Sequence, residues 1–262
     1  IGAVPDTLCR ARPAEALKNT EVLSAGVVGA AEAPIMNLDL RESIYALADA
    51  LDLVGVDDVQ HGKRVALMAV ACADTLNWPA EQTRRVMYAG LLHDCGVSST
   101  RVHQKLIEQF AWEETYVHCH VGGELLAGFE PLAWMAPIVR YHHTPWAELP
   151  HGNLSESEAL IANLIFLVDR ADALAAPYLG TDHAAATPLI HSELGAMRGT
   201  HFAEDLVDAL LAVSSGEAFW MALEPINVVN FLWQWEKEGQ PVPITVSEFK
   251  ELAGIFAAIV DS

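Results

Sequence analysis

Basic residues are scarce in this chain of 262 residues: 15 Lys and Arg stand against 35 Asp and Glu, a formal net charge of −20. A protein that coats nucleic-acid phosphates needs a basic surface to release counterions, so this balance excludes that class. Cysteines are few as well, and Cys9, Cys72, Cys95 and Cys119 lie far apart with no CxxC pair. That argues against a disulfide framework and for reduced, buried thiols in a cytoplasmic protein. No apolar run reaches the ~18 residues that would suggest a transmembrane helix. The first residues show no basic segment leading into an apolar stretch, so no signal peptide is visible. Low-complexity tracts are missing, and so are alternating strand patterns bounded by turn residues. What is plentiful is apolar: 52% of residues are hydrophobic and 19% charged, which excludes disorder and promises a sizeable core. An acidic protein can still hold a phosphate-bearing ligand where something local reverses the sign. A metal centre would do so, and eleven histidines are available to build one.

The length allows one large domain or two small ones. The periodicity is helical almost throughout, and the fold class expected is all-α. Leu40, Ile44, Leu47 and Leu51 recur at three- and four-residue intervals over 40–52, an amphipathic helix. A second helix is expected over 59–76, and Pro79 suits the first turn of a third running to about Leu92. Ser155 with Glu158 forms a capping box before the apolar ALIANLIFLVDRADAL, and Thr245 with Glu248 forms another near the end. Further helices are expected near 115–128, 133–144, 188–197, 202–213, 216–235 and 246–260. Residues 144–157, with two prolines and a glycine, read as a loop. Residues 1–38 read as a lead-in region, 39–180 as the main domain and 181–262 as a helical extension packing on it.

Metal-type ligands recur along these helices: His61, the pair His93–Asp94, His118, the pair His142–His143, and Asp169. They are separated by 32, 25, 24 and 26 residues, counting from His143 for the last. Each interval is about one helix and a connection, so successive helices of a bundle would each supply a ligand. Imidazole and carboxylate together suit iron, manganese, zinc or cobalt rather than calcium. Asp94 follows the apolar run YAGLL and Asp169 lies inside LIFLVDRADAL, where an unpartnered carboxylate would be costly. Arg170 is no ready partner for Asp169, because adjacent residues of a helix do not face each other.

The order H…HD…H…HH…D resembles the HD superfamily of metal-dependent phosphohydrolases, and most closely its HD-GYP branch. The stretches that carry the likeness are HGKRVALMA (61–69), YAGLLHDCG (88–96), HCHVGG (118–123), IVRYHH (138–143) and LIFLVDRADAL (164–174), within about residues 40–178. The resemblance implies a helical domain with two divalent metal ions, iron or manganese first and zinc, nickel or cobalt as alternatives. It also implies hydrolysis of the cyclic dinucleotide c-di-GMP. His61, His93, Asp94 and Asp169 match the core ligands, and His118, His142 and His143 match the histidines that add the second metal. His118 is preferred to His120 because the family spaces this His four residues before a Gly, here Gly122. Asp57 stands where some members have a glutamate for a further metal, though within VGVDD it reads as a loop acid.

Three departures qualify the likeness. The basic residues expected soon after the final aspartate are missing from APYLGTDHAAA (176–186). HHTPWAELPHGN follows the paired histidines without a Gly-Tyr-Pro, and HDCGV puts Val97 where the family has a lysine. The cage looks intact and the cyclic-dinucleotide pocket eroded. The function expected is phosphodiester hydrolysis on a nucleotide or cyclic dinucleotide. Two cations held about 3.5–4 Å apart would clamp the phosphate and activate water, with Asp94 as the bridging, catalytic carboxylate. Lys63, Arg101 and Lys105 are candidate phosphate contacts. The alternative is a catalytically silent regulatory domain of a larger signalling protein. EFKELAGIFAAIVDS resembles the segment that leads into the family's first metal helix, so a second HD domain is expected beyond Ser262. Trp220, Trp233 and Trp235 make a third candidate, pure binding through a ligand pocket or a homodimer face.

Overall fold

The ends of the helices carry the signals that start them. The Ser155 hydroxyl accepts from the Glu158 backbone N–H at 3.2 Å while the Glu158 carboxylate accepts from the Ser155 N–H at 2.8 Å. Thr245 and Glu248 repeat this reciprocal box at 3.2 and 2.6 Å, satisfying N–H groups that a first helical turn leaves unpaired. The structure, a computed structural model, describes residues 38–54, 60–97, 115–150, 152–181, 183–237 and 240–260, all within the unit Met36–Ser262.

In chain order these residues form β1 (Leu38–Asp39), α1 (Leu40–Val54), α2 (His61–Thr75), α3 (Ala80–Leu92) and α4 (Thr115–Ala127). A 3-10 segment (Glu130–Met135), α5 (Ala136–Tyr141), α6 (Glu156–Ala175), α7 (His183–Gly195) and α8 (Glu204–Ser214) follow. The last are α9 (Glu217–Ala222), α10 (Pro225–Lys237), β2 (Pro243–Ile244) and α11 (Val246–Val260). The fold is all-α apart from one antiparallel two-residue pairing, Leu38 with Ile244 and Asp39 with Pro243. That pairing was not expected from the sequence. It ties the start of α1 to the start of α11, and α1 and α11 pack together.

The helices α2 and α6 are central. α2 packs against α3, α6, α8 and α10, and α6 against α3, α5, α7 and α8. Both are buried on nearly all sides, and α6 hides Ile161, Leu164, Ile165 and Leu167 completely, as an all-round apolar sequence demands. Prolines account for most departures from the expected boundaries. The helix expected over 133–144 begins instead as the 3-10 segment with Pro131 in its first turn, and becomes α-helical only at Ala136. The single helix expected over 216–235 is two, broken ahead of Pro225, because the residue before a proline avoids the helical region. Pro188, expected to open a helix, lies inside α7 instead.

Two close backbone approaches set the site. A Cβ on Gly90 would sit 2.8 Å from the Ala66 Cα, so α2 and α3 touch backbone to backbone there. A Cβ on Gly96 would meet the His118 carbonyl oxygen at 2.1 Å and the Gly122 nitrogen at 2.4 Å. Only glycine lets the turn after His93–Asp94 press this closely onto α4.

Candidate metal centre

Those contacts bring five chain segments to one point. α2 supplies His61 at its first residue, the turn after α3 supplies His93 and Asp94, and α4 supplies His118. The end of α5 supplies His142 and His143, and the middle of α6 supplies Asp169. All five histidines and Asp169 are buried. His61 and His93 rings lie 5.1 Å apart, His118 and His142 5.2 Å, and His142 and His143 4.3 Å.

The two carboxylates stand between two sets of imidazoles. Asp94 turns Oδ2 to His93 Nε2 (3.4 Å) and His61 Nε2 (3.8 Å). Its Oδ1 faces His118 Nε2 (3.3 Å) and His142 Nε2 (3.7 Å). Asp169 likewise gives Oδ1 to His61 Nε2 at 3.2 Å and turns Oδ2 towards His143 Nδ1 at 4.0 Å. Side-chain donor atoms of His61, His93 and Asp94 lie within 4.8 Å of one another, as do those of His118, Cys119, His142 and His143. Each cluster is compact enough to surround one cation.

The outward nitrogens fix the tautomers. His93 Nδ1 faces the Gly90 carbonyl at 2.8 Å, His142 Nδ1 the Val139 carbonyl at 2.6 Å, and His61 Nδ1 the Asp172 Oδ2 at 2.8 Å. Each acceptor takes the Nδ1 proton, so that the neutral ring turns its Nε2 lone pair inward, the arrangement typical of metal-ligating histidine. The buried, inward-facing His93 Nε2 has no hydrogen-bond partner among the described residues. An orphaned buried imidazole nitrogen is uncommon in a protein interior and is what a ligand atom without its ion looks like. The donor set therefore fits a divalent cation.

Electrostatics point the same way. Burial pushes the Asp94 carboxyl up, but the imidazoles of His93, His118 and His142 outweigh it and hold the group well below the carboxylate range. Asp169 also ends well below that range, Arg170 and His61 overcoming its burial. Both acids are ionised. Burial lowers His93, and burial with neighbouring His142 lowers His143 strongly, so both are neutral donors. His61 moves the other way: burial opposes its charge, yet hydrogen bonds to Asp169 and Asp172 raise it well above the ordinary imidazole value. Burial and the Asp94 charge push the Cys119 thiol well up, so it stays protonated beside His118 and His142.

His118, rather than His120, faces the cluster. His120 is exposed, next to Arg140 and Glu124. Lys63 is not brought to the site: two residues on from His61 on α2, it is turned away, and its ammonium pairs with Asp49 at 2.6 Å and Asp52 at 2.5 Å. Arg101, Lys105 and Asp57 lie outside the described residues. Trp220 is buried, donating to the Ser214 carbonyl, while Trp233 is exposed; the Trp235 side chain is outside the description.

Three residues of the site had escaped notice in the sequence. Asp172, fully buried, accepts from Arg64 Nε at 2.7 Å and Arg64 Nη2 at 2.8 Å as well as holding His61. Arg64 and Asp172 stand three residues after His61 and Asp169, the spacing that puts two side chains on one helix face. That spacing was the signal available for finding them. Cys119 had read simply as a buried thiol.

Residues 59–176 match the HD domain family. The chain is similar to the 3'3'-cGAMP-specific phosphodiesterase 1 of Vibrio cholerae serotype O1, with 36% identity over 238 residues, covering 86% of this chain and 54% of that protein. It thus spans about half the length of the curated relative it matches. Its fold is similar to the crystal structure of a cyclic GMP-AMP specific phosphodiesterase from V. cholerae, with a TM-score of 0.65 at 15% identity over 85% of this chain and 60% of that one. Among the described residues no helix is long and apolar enough to cross a membrane.

Proposed function

We propose, from the premise that residues 59–176 are an HD domain, that the chain is a metal-dependent phosphodiesterase acting on a cyclic dinucleotide. The observation that carries this reading is the inward-turned set of imidazoles, each of His61, His93 and His142 held through Nδ1 by its own acceptor. His61, His93, Asp94 and Asp169 would hold one cation; His118, His142 and His143, with the other oxygen of Asp94, would hold a second. Iron or manganese suits this mixture of imidazole and carboxylate, with zinc, nickel and cobalt as competitors. When bound, the cations supply Lewis acidity to the phosphate and a water acidified towards neutral pH.

The chain's own residues make that chemistry available. Asp94 offers one oxygen to each set of imidazoles, so its position fixes the spacing of the two halves. Asp172, neutralised by Arg64, keeps the His61 ring turned with Nε2 inward. Arg170 Nε, 3.2 Å from Asp169 Oδ2, does the same for that carboxylate, so these neighbours pair after all, the long arginine side chain reaching back where helix spacing alone argued against it. This reading also accounts for the net charge of −20: an anionic substrate would meet cations collected by the protein rather than a basic surface.

The substrate class follows from the Vibrio cholerae relative, whose name specifies 3'3'-cGAMP. A Val at position 97 and the missing Gly-Tyr-Pro favour a recognition surface different from that of c-di-GMP enzymes. The same two features motivate the other reading, a silent regulatory domain. The experiment is hydrolysis of 3'3'-cGAMP, c-di-GMP and bis-p-nitrophenyl phosphate by the manganese- or iron-loaded chain, beside Asp94→Asn. Turnover of a cyclic dinucleotide that falls by more than about a hundredfold in the variant is expected. A fully metallated chain that cleaves none of the three would overturn the enzymatic reading in favour of the regulatory one.

A further inference from the structure

With 15 Lys and Arg in the whole chain, the placement of three arginines around one cavity is informative. Arg41 of α1 and Arg84 and Arg85 of α3 line a cavity of about 450 Å³, together with Glu81, Tyr88 and Trp134. Arg41 is neutralised by Asp39, which accepts from its Nε at 3.0 Å and from its Nη2 at 2.6 Å. Arg84 and Arg85 have no ion-pair partner among the described residues. The Arg85 guanidinium carbon lies 4.7 Å from the centroid of the Trp134 ring, a cation–π contact that holds the side chain there without discharging it. Two uncompensated guanidiniums against one carboxylate, Glu81, make the wall locally positive on a strongly acidic protein.

This combination has a definite chemical preference. A guanidinium fork matches phosphate oxygens bidentately. Aromatic surface beside an arginine is what a nucleobase packs against. The volume lies in the range of small-molecule sites, about 300–1,000 Å³, and the acidic surroundings disfavour a polyanion. The cavity is built partly on α3, the helix that leads into His93 and Asp94, and shares no residue with the metal centre.

We propose that this cavity is a second nucleotide site, taking a nucleoside monophosphate with its phosphate on Arg84 and its base against the Arg85–Trp134 cation–π pair. The site stands independently of the phosphodiesterase reading, and its test needs no turnover. Calorimetric titrations of the whole chain in excess EDTA with AMP, GMP, adenosine and inorganic phosphate separate the parts. AMP or GMP is expected to bind about tenfold or more tightly than adenosine or phosphate alone, because both halves of the cavity are engaged. R84A is expected to weaken AMP about tenfold or more and W134A to remove the advantage over phosphate. E81Q is expected to tighten AMP several-fold, a gain that a damaged fold would not produce. Asp94→Asn should leave the affinity unchanged.

No binding of either mononucleotide at millimolar concentration would overturn the proposal. So would binding that R84A and E81Q leave unchanged, or binding abolished by Asp94→Asn, which would place the nucleotide in the metal centre. A phosphorylated oligonucleotide that binds more tightly than AMP would also contradict it, in favour of a nucleic-acid end.

Discussion

Asp172→Leu tests whether the buried pair behind His61 works as the geometry requires. The carboxylate is fully buried and makes three contacts, to His61 Nδ1 at 2.8 Å and to Arg64 Nε and Nη2 at 2.7 and 2.8 Å. Removing it leaves the Arg64 guanidinium buried without these acceptors. Losing one partner of a buried ion pair costs about 3–5 kcal/mol. At about 2–4 °C per kcal/mol for a domain of this size, Tm should fall by about 6–20 °C. His61 simultaneously loses the group that orients it, which should weaken metal binding by about 10–100-fold. The two effects separate in the double variant Arg64→Met/Asp172→Leu. Apolar residues of similar volume replace both charges there, so Tm should return most of the way, while metal affinity should not, because His61 still lacks its acceptor. Differential scanning calorimetry and manganese titration against a chromogenic chelator read the two quantities. Unchanged Tm and affinity in the single variant would refute the reasoning, and so would a double variant that regains full metal affinity.

Further outcomes follow from the same structure. Gly96→Ala should prevent soluble expression or lower Tm steeply, since its Cβ would lie 2.1 Å from the His118 carbonyl; Gly254→Ala, with nothing within 4 Å, should raise stability by up to about 1 kcal/mol through helix propensity. Guanidinium denaturation compares the two. In metal-free protein, His93 and His143 are held below the ordinary value of 6.5, so their contribution is complete above pH 6.5 and is lost as the pH falls below it. His61 is raised, so its contribution is complete below 6.5 and is lost as the pH climbs through its folded value. Tm without metal should therefore peak near pH 6.5, and a flat profile between about pH 5 and about pH 9 would contradict this. Because His61 must lose its proton to ligate, manganese binding at neutral pH should release protons, measurable by calorimetry in buffers of different ionisation heat; equal heats in all buffers would count against His61 as a ligand.

The sequence was informative where chemistry is written in residue type. A carboxylate inside LIFLVDRADAL or after YAGLL has no cheap apolar explanation, and such residues converge in the fold. So do the histidines, although they sit at different places along their helices: His61 opens α2, His118 lies in the first turn of α4, and His93 and the pair His142–His143 follow the ends of α3 and α5. The capping boxes at Ser155 and Thr245 were equally legible, being local. What depends on partners across the chain was not. Arg64 and Asp172 look like ordinary helix-surface charges until α2 and α6 are packed together. Lys63 looked suited to a phosphate because it lies near His61 in sequence, but two residues along a helix is about 200° around it. The glycines in HDCG and HCHVGG were visible as motif letters. Their physical role, a backbone contact that admits no Cβ, needed the packing of α4 on the turn after α3.

The central claim is that these side chains form a centre for two cations divided by Asp94. The most direct test is the stoichiometry of manganese retained after equilibrium dialysis of the apo chain, measured by elemental analysis beside Asp94→Ala. The account predicts two ions per chain, with one or both lost in the variant. A chain that retains no manganese, iron or zinc under these conditions, or a variant that retains as much as the wild type, would contradict it.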